Sequence, residues 1–98
     1  MSATVQAATK SEVDDFIAKN AGWSVITGQL VRTFEAASFL AGIDLVKAVA
    51  LKAEAADHHP DIDIRWRKIT FRLITHDAGN AISHKDLSLA AEIQQLAR

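Results

Sequence analysis

His58 and His59 stand side by side in AEAADHHPDIDIRW, directly before Pro60, the only proline of the 98-residue chain, with Glu54 and Asp57 upstream and Asp61 and Asp63 downstream. A third histidine, His76, sits beside Asp77 in ITHDAGN. Imidazole has its ordinary pKa near neutrality, so both its acid and its base form are available for proton transfer. Neutral imidazoles also bind zinc. Successive residues of an extended chain, however, point to opposite sides, and no two histidines have the His-x-x-x-His spacing that sets two rings on one helix face. Each ring taken singly has a plainer reading, as a solvated or hydrogen-bonded loop residue.

Composition narrows the chemistry further. The chain has no cysteine, which excludes disulfides, thiolate zinc sites and cysteine nucleophiles. Eleven basic and twelve acidic residues leave a net charge of -1, with no electrostatic footprint for direct contact with nucleic acid or an anionic membrane. The opening MSATVQAATK lacks a basic segment followed by an apolar run, and no apolar stretch approaches ~18 residues, so neither a signal peptide nor a membrane span is expected and the protein reads as cytoplasmic. The length fits one domain over residues 1–98, with 1–8 as a flexible N-terminus. At this size the buried fraction of surface is modest, and self-association is the expected supplement.

The elements that must position the histidines are legible in order. Thr9 and Glu12 form a capping-box pattern before Val13, Phe16 and Ile17, and Gly22 supplies a left-handed stop, which predicts a short first helix. WSVIT and QLVRTF around Gly28 predict a hairpin. From Ser38 to Asp57, apolar residues recur at Phe39, Ile43, Val46, Val49 or Ala50, and Ala53, predicting the longest helix. Pro60 disfavours helical geometry at His59, so that helix ends at or before the histidine pair. DIDIRW alternates, with Ile62, Ile64 and Trp66 on one side, and KITFRLIT alternates through Ile69, Phe71 and Leu73, predicting two more strands. Ser83 and Asp86 then read as a capping box before LSLAAEIQQLAR. The order α-β-β-α-β-β-α predicts an α+β fold, a four-stranded antiparallel sheet with three helices packed on one face.

AEAADHHPD, followed by RW, KITFRLITHDAGN and SHKDLSLAAEI, with GW at Gly22 and Trp23, resembles the pterin-4a-carbinolamine dehydratase family in one register from Gly22 to Ala97. The resemblance implies the same α+β fold, assembled as dimers or tetramers. It implies that Asp57, His58 and His59 form one substrate-contacting segment, and Thr75, His76 and Asp77 a second. Ile74 stands where the animal members have serine, and Asp77 where they have glutamate. Glu54, Trp23 and Asp86 match positions that line or brace the family's pocket. Each also has a structural reading: Glu54 as a solvated helix charge, Trp23 as a core aromatic, and Asp86 as the capping partner of Ser83, worth about 0.5–2 kcal/mol. His84 matches nothing catalytic and reads as a surface residue at a helix start.

The activity implied by the resemblance is dehydration of a 4a-hydroxytetrahydropterin, such as 4a-hydroxytetrahydrobiopterin, to the quinonoid dihydropterin. That step recycles the pterin after an aromatic amino acid hydroxylase has used it. Hydroxide is a poor leaving group, so an acid protonates the C4a oxygen while a base takes a proton from the ring nitrogen, and no metal or redox cofactor is required. His59 and His76 are expected nearest the leaving hydroxyl, with His58 assisting, while Glu54 and Asp57 orient a ring or favour its charged form. Animal members also serve as binding modules that stabilise dimers of a homeodomain transcription factor through a helix surface, which is the competing expectation.

Overall fold

The computed structural model describes residues 5–97. Its elements run α1 (Lys10–Lys19), β1 (Ser24–Ile26), β2 (Gln29–Glu35), α2 (Phe39–Ala56), β3 (Asp61–Arg65), β4 (Lys68–Leu73), a 3-10 turn (His76–Ala78) and α3 (His84–Leu96). The strands form one antiparallel sheet in the order β1-β2-β4-β3, with β1 and β3 at its edges. This is the α+β order read from the sequence.

Side-chain alternation decides which face is covered. Ile69, Phe71 and Leu73 of β4 are fully buried, and Leu30 and Phe34 of β2 lie opposite Leu73 and Ile69 on the same face. Val13 from α1, Val49 and Ala53 from α2, and Leu89, Ala90 and Ile93 from α3 close over them. The neighbouring residues Thr33, Thr70 and Arg72 take the opposite face. Close approach of α2 to the sheet depends on Gly42, where a Cβ would meet Cδ1 of Ile69 at 3.0 Å. The buried line along α2 is Gly42, Val49 and Ala53, with Leu45 and Val46 partly buried. Phe39, expected on that face, is half exposed instead.

Three boundaries differ from the sequence reading. Helix α1 stops at Lys19, three residues before Gly22, whose φ of 98° shapes the following turn. Trp66 is not in β3: Arg65 pairs with Lys68, so Trp66 and Arg67 make a two-residue turn. Trp66 there takes a φ of 53°, is 72% exposed and lies 4.8 Å under the Arg67 guanidinium. Of the N-terminus expected to be flexible, residues 1–4 lie outside the described residues, whereas Ala7 bridges to Ser83 and the Ala8 N–H donates to the Ile82 carbonyl at 2.8 Å.

The α1 cap forms as its sequence demands and adds a long-range contact. The Glu12 carboxylate accepts from the Thr9 N–H at 2.8 Å, and its other oxygen lies 2.5 Å from Nε2 of His84. The Thr9 backbone bond and then the His84 contact hold the Glu12 pKa down at about 2, against an ordinary 4.5. Since the folded-state value is the lower one, this contact stabilises the fold above pH 4.5 and is lost as pH falls through about 2. Acid unfolding of wild type and Glu12→Gln is expected to show a stability difference that shrinks across that window. A difference independent of pH would refute the assignment.

Candidate active site

The end of α2 explains how two adjacent histidines are pointed differently. Asp57 adopts the left-handed conformation (φ 49°), its N–H donates to the Glu54 carbonyl, and the His58 N–H donates to the Ala53 carbonyl at 3.1 Å. These paired bonds close a Schellman motif, for which a short polar side chain is among the few alternatives to glycine. The helix therefore stops at Ala56, before Pro60 can act on it. His58 then turns inward, its side chain 11% exposed, while His59 faces outward at 55%.

A second segment meets this one. Beyond β4, Thr75 bridges to Ala81, and the chain between them forms the 3-10 turn that carries His76 and Asp77. Asp57, His58, His59, Ile74, Thr75, His76, Asp77 and Lys85 together line one open cavity of about 340 Å³. Six of these residues were singled out from the sequence as catalytic or substrate-binding, and they come from two chain segments brought together only by the fold. Lys85 was not among them. Its one sequence signal is its place in the first turn of α3, immediately before Asp86.

Asp86 lies behind the cavity wall and is completely buried. One carboxylate oxygen accepts from the Ser83 N–H at 2.9 Å, completing the α3 capping box, and from the Thr75 hydroxyl at 2.7 Å. The other lies 2.5 Å from Nε2 of His58. An ionised carboxylate only accepts, so with Asp86 ionised this contact is a hydrogen bond when His58 carries a proton on Nε2, and Nδ1 takes no part in it. The buried Ser83 hydroxyl, 2.6 Å from that of Thr75, completes the network. Asp86 is thus the cap read from the sequence, but, expected also as a substrate contact, it does not line the cavity and reaches it only through His58 and Thr75.

Other expected site residues fall elsewhere. Trp23 does not line the cavity: it is 2% exposed, packs edge-on against Phe16 and Phe34, and donates its indole N–H to Gln94 at 3.0 Å. A large aromatic with a single donor is best satisfied in a core beside an acceptor, and that is where Trp23 sits. Glu54 is exposed on α2, 3.6 Å from Nε2 of His59, close enough to pair with a protonated ring. His84 points to Glu12 and away from the cavity lining. Among the described residues, no three His, Asp or Glu side chains are arranged to hold a metal ion.

With this geometry in hand, the chain can be set beside known proteins. A curated relative from Mycobacterium sp. (strain KMS), named "Putative pterin-4-alpha-carbinolamine dehydratase", is 48% identical over 88 residues, covering 90% of this chain and 93% of the relative. One of the same name from Chloroflexus aurantiacus (strain J-10-fl) is 44% identical over 88 residues, covering 90% and 94%. The fold matches the crystal structure of a transcriptional coactivator/pterin dehydratase from Brucella melitensis with a TM-score of 0.88, at 24% identity, over 95% of this chain and all of that one. The family described as pterin 4 alpha carbinolamine dehydratase matches residues 6–96, and the chain belongs to it.

Proposed function

We propose that this protein dehydrates 4a-hydroxytetrahydropterins to quinonoid dihydropterins by histidine acid/base catalysis. The observation that carries the reading is the convergence of His58, His59 and His76 on one cavity whose volume, about 340 Å³, suits a small heterocycle. In the reaction the C4a–O bond breaks, the oxygen leaves as water with a proton from an imidazolium, and a neutral imidazole takes the ring-nitrogen proton. The Asp86 contact supports proton acceptance by His58 at Nδ1, and the exposed rings of His59 and His76 are suited to the leaving oxygen. Asp57, Thr75 and Asp77 supply polar contacts to the pterin, Glu54 acts through His59, and no metal or redox cofactor takes part. The test is stopped-flow dehydration of synthetic 4a-hydroxytetrahydropterin with and without protein, before and after a chelator. An acceleration of roughly 10²–10⁴, unaffected by chelation, is expected from proton transfer of this kind. No acceleration, or one lost on chelation and restored by zinc, would overturn the reading.

The working assembly is at least a homodimer. Two edge strands, together with Phe39, Leu40 and Leu51 exposed on α2, leave apolar surface for a second copy. Light scattering at micromolar concentration is expected to show twice the 10.6 kDa chain mass or more, and a monomer alone would contradict this. The same α2 residues support a second reading, a binding module for a protein partner with little catalysis. Rapid dehydration in the stopped-flow assay separates the two. Among the described residues no helix is long and apolar enough to cross a membrane. A functional link to an aromatic amino acid hydroxylase follows from the substrate of the proposed reaction.

A further inference from the structure

The ring of His76 has a partner outside the cavity lining. Its Nδ1 lies 2.7 Å from Oδ1 of Asn80. An amide oxygen only accepts, so this contact is a hydrogen bond only when Nδ1 carries the proton. The loop is shaped to make it. After the 3-10 turn, Gly79 (φ 75°) and Asn80 (φ 57°) are both left-handed, and the Asn80 N–H donates back to the His76 carbonyl at 3.3 Å. Asparagine is one of the few side chains that tolerates this conformation. The loop is closed independently by the Thr75 N–H on the Ala81 carbonyl at 2.9 Å and the Ala81 N–H on the Thr75 carbonyl at 3.3 Å. Backbone bonds thus hold the turn, and the Asn80 side chain is free to orient the imidazole.

We infer that Asn80 is a positioning residue that fixes His76 in the Nδ1–H tautomer and presents Nε2 as its reactive nitrogen. The inference deepens the proposed dehydratase reading and rests on it for its kinetic consequence. His58, protonated on Nε2 toward Asp86, offers the opposite nitrogen. The two rings are therefore held in opposite tautomers, one by a buried carboxylate and the other by a neutral amide. An amide orients a ring without adding charge. His76 can then pass a proton through Nε2 while Nδ1–H stays on Asn80.

Two variants test the assignment. Asn80→Gly removes the acceptor while suiting the left-handed backbone, and Asn80→Asp keeps an acceptor oxygen. Nitrogen-15 NMR of the imidazoles in the substrate-free protein is expected to show neutral His76 as Nδ1–H in wild type and Asn80→Asp, and shifted toward Nε2–H in Asn80→Gly. In the dehydration assay, kcat of Asn80→Gly is expected to fall about tenfold, the low end of what losing a histidine's orienting partner costs at metal sites, with KM little changed. Asn80→Asp is expected to recover most of that loss. An Nε2–H tautomer in wild type, or an Asn80→Gly protein with unchanged tautomer and kcat, overturns the inference. If the tautomer shifts as expected in a protein that dehydrates no pterin, the positioning contact stands and the proposed function falls.

Discussion

Replacing His76 with alanine is expected to slow dehydration roughly ten- to a thousandfold, short of the full acid/base contribution because a neighbouring imidazole or water substitutes in part. His59→Ala should fall in the same range. Both side chains are exposed and neither packs in the core, so the variants should unfold at denaturant concentrations close to wild type. The control is His84, eight positions along the same connection, whose ring pairs with Glu12. His84→Ala should leave turnover unchanged. Stopped-flow rates for the three variants decide the matter, and equal effects at His76 and His84 would mean that the site lies elsewhere.

Asp86→Ala is expected to cost about 3–5 kcal/mol of folding stability, because three donors lose their buried acceptor at roughly 1–3 kcal/mol each. A capping role alone predicts only about 0.5–2 kcal/mol. The larger figure follows from what the fully buried carboxylate satisfies: the Ser83 N–H, the Thr75 hydroxyl and the His58 ring. Against a typical total of roughly 5–15 kcal/mol, such a loss brings a small domain close to unfolding. Molecules that remain folded should also turn over slowly, because nothing then fixes the His58 tautomer. Urea unfolding measures the first effect, and a loss below about 2 kcal/mol would reduce Asp86 to a cap.

The features legible in the sequence were those set by local hydrogen bonds and strict periodicity. Thr9 with Glu12 and Ser83 with Asp86 each start a helix, the hydroxyls accepting from backbone N–H groups two or three residues on and the carboxylates reaching back to the N–H of the capping residue. Ile69, Phe71 and Leu73 are buried as their alternation requires. Trp66 misled because alternation continues through a residue that the Arg65–Lys68 pairing has already placed in a turn, in a conformation a bulky side chain seldom takes. Lys85 and Asn80 escaped notice for another reason. Whether the first turn of α3 faces the cavity, and whether an amide reaches a ring four residues back, depends on how the loop is folded and leaves no mark on spacing. The opposite facing of His58 and His59 was foreseeable from chain geometry, whereas the three-donor environment of Asp86 joins residues 58, 75, 83 and 86 and exists only in the folded chain.

Because the Asp86 carboxylate both starts α3 and holds His58, a substitution there removes both contacts at once. On the proposed dehydratase reading, a lineage that no longer needed to dehydrate pterins is expected to retain Asp86, Ser83, Thr75 and His58, since losing any of them strands buried polar groups. The exposed rings of His59 and His76 carry no such obligation and are free to drift once turnover stops mattering. Among descendants of this fold, His58 with Asp86 therefore records only that the scaffold persists. On the dehydratase reading proposed above, the joint survival of His59 and His76 is the mark by which a working enzyme can be told from a relative that has taken up another occupation.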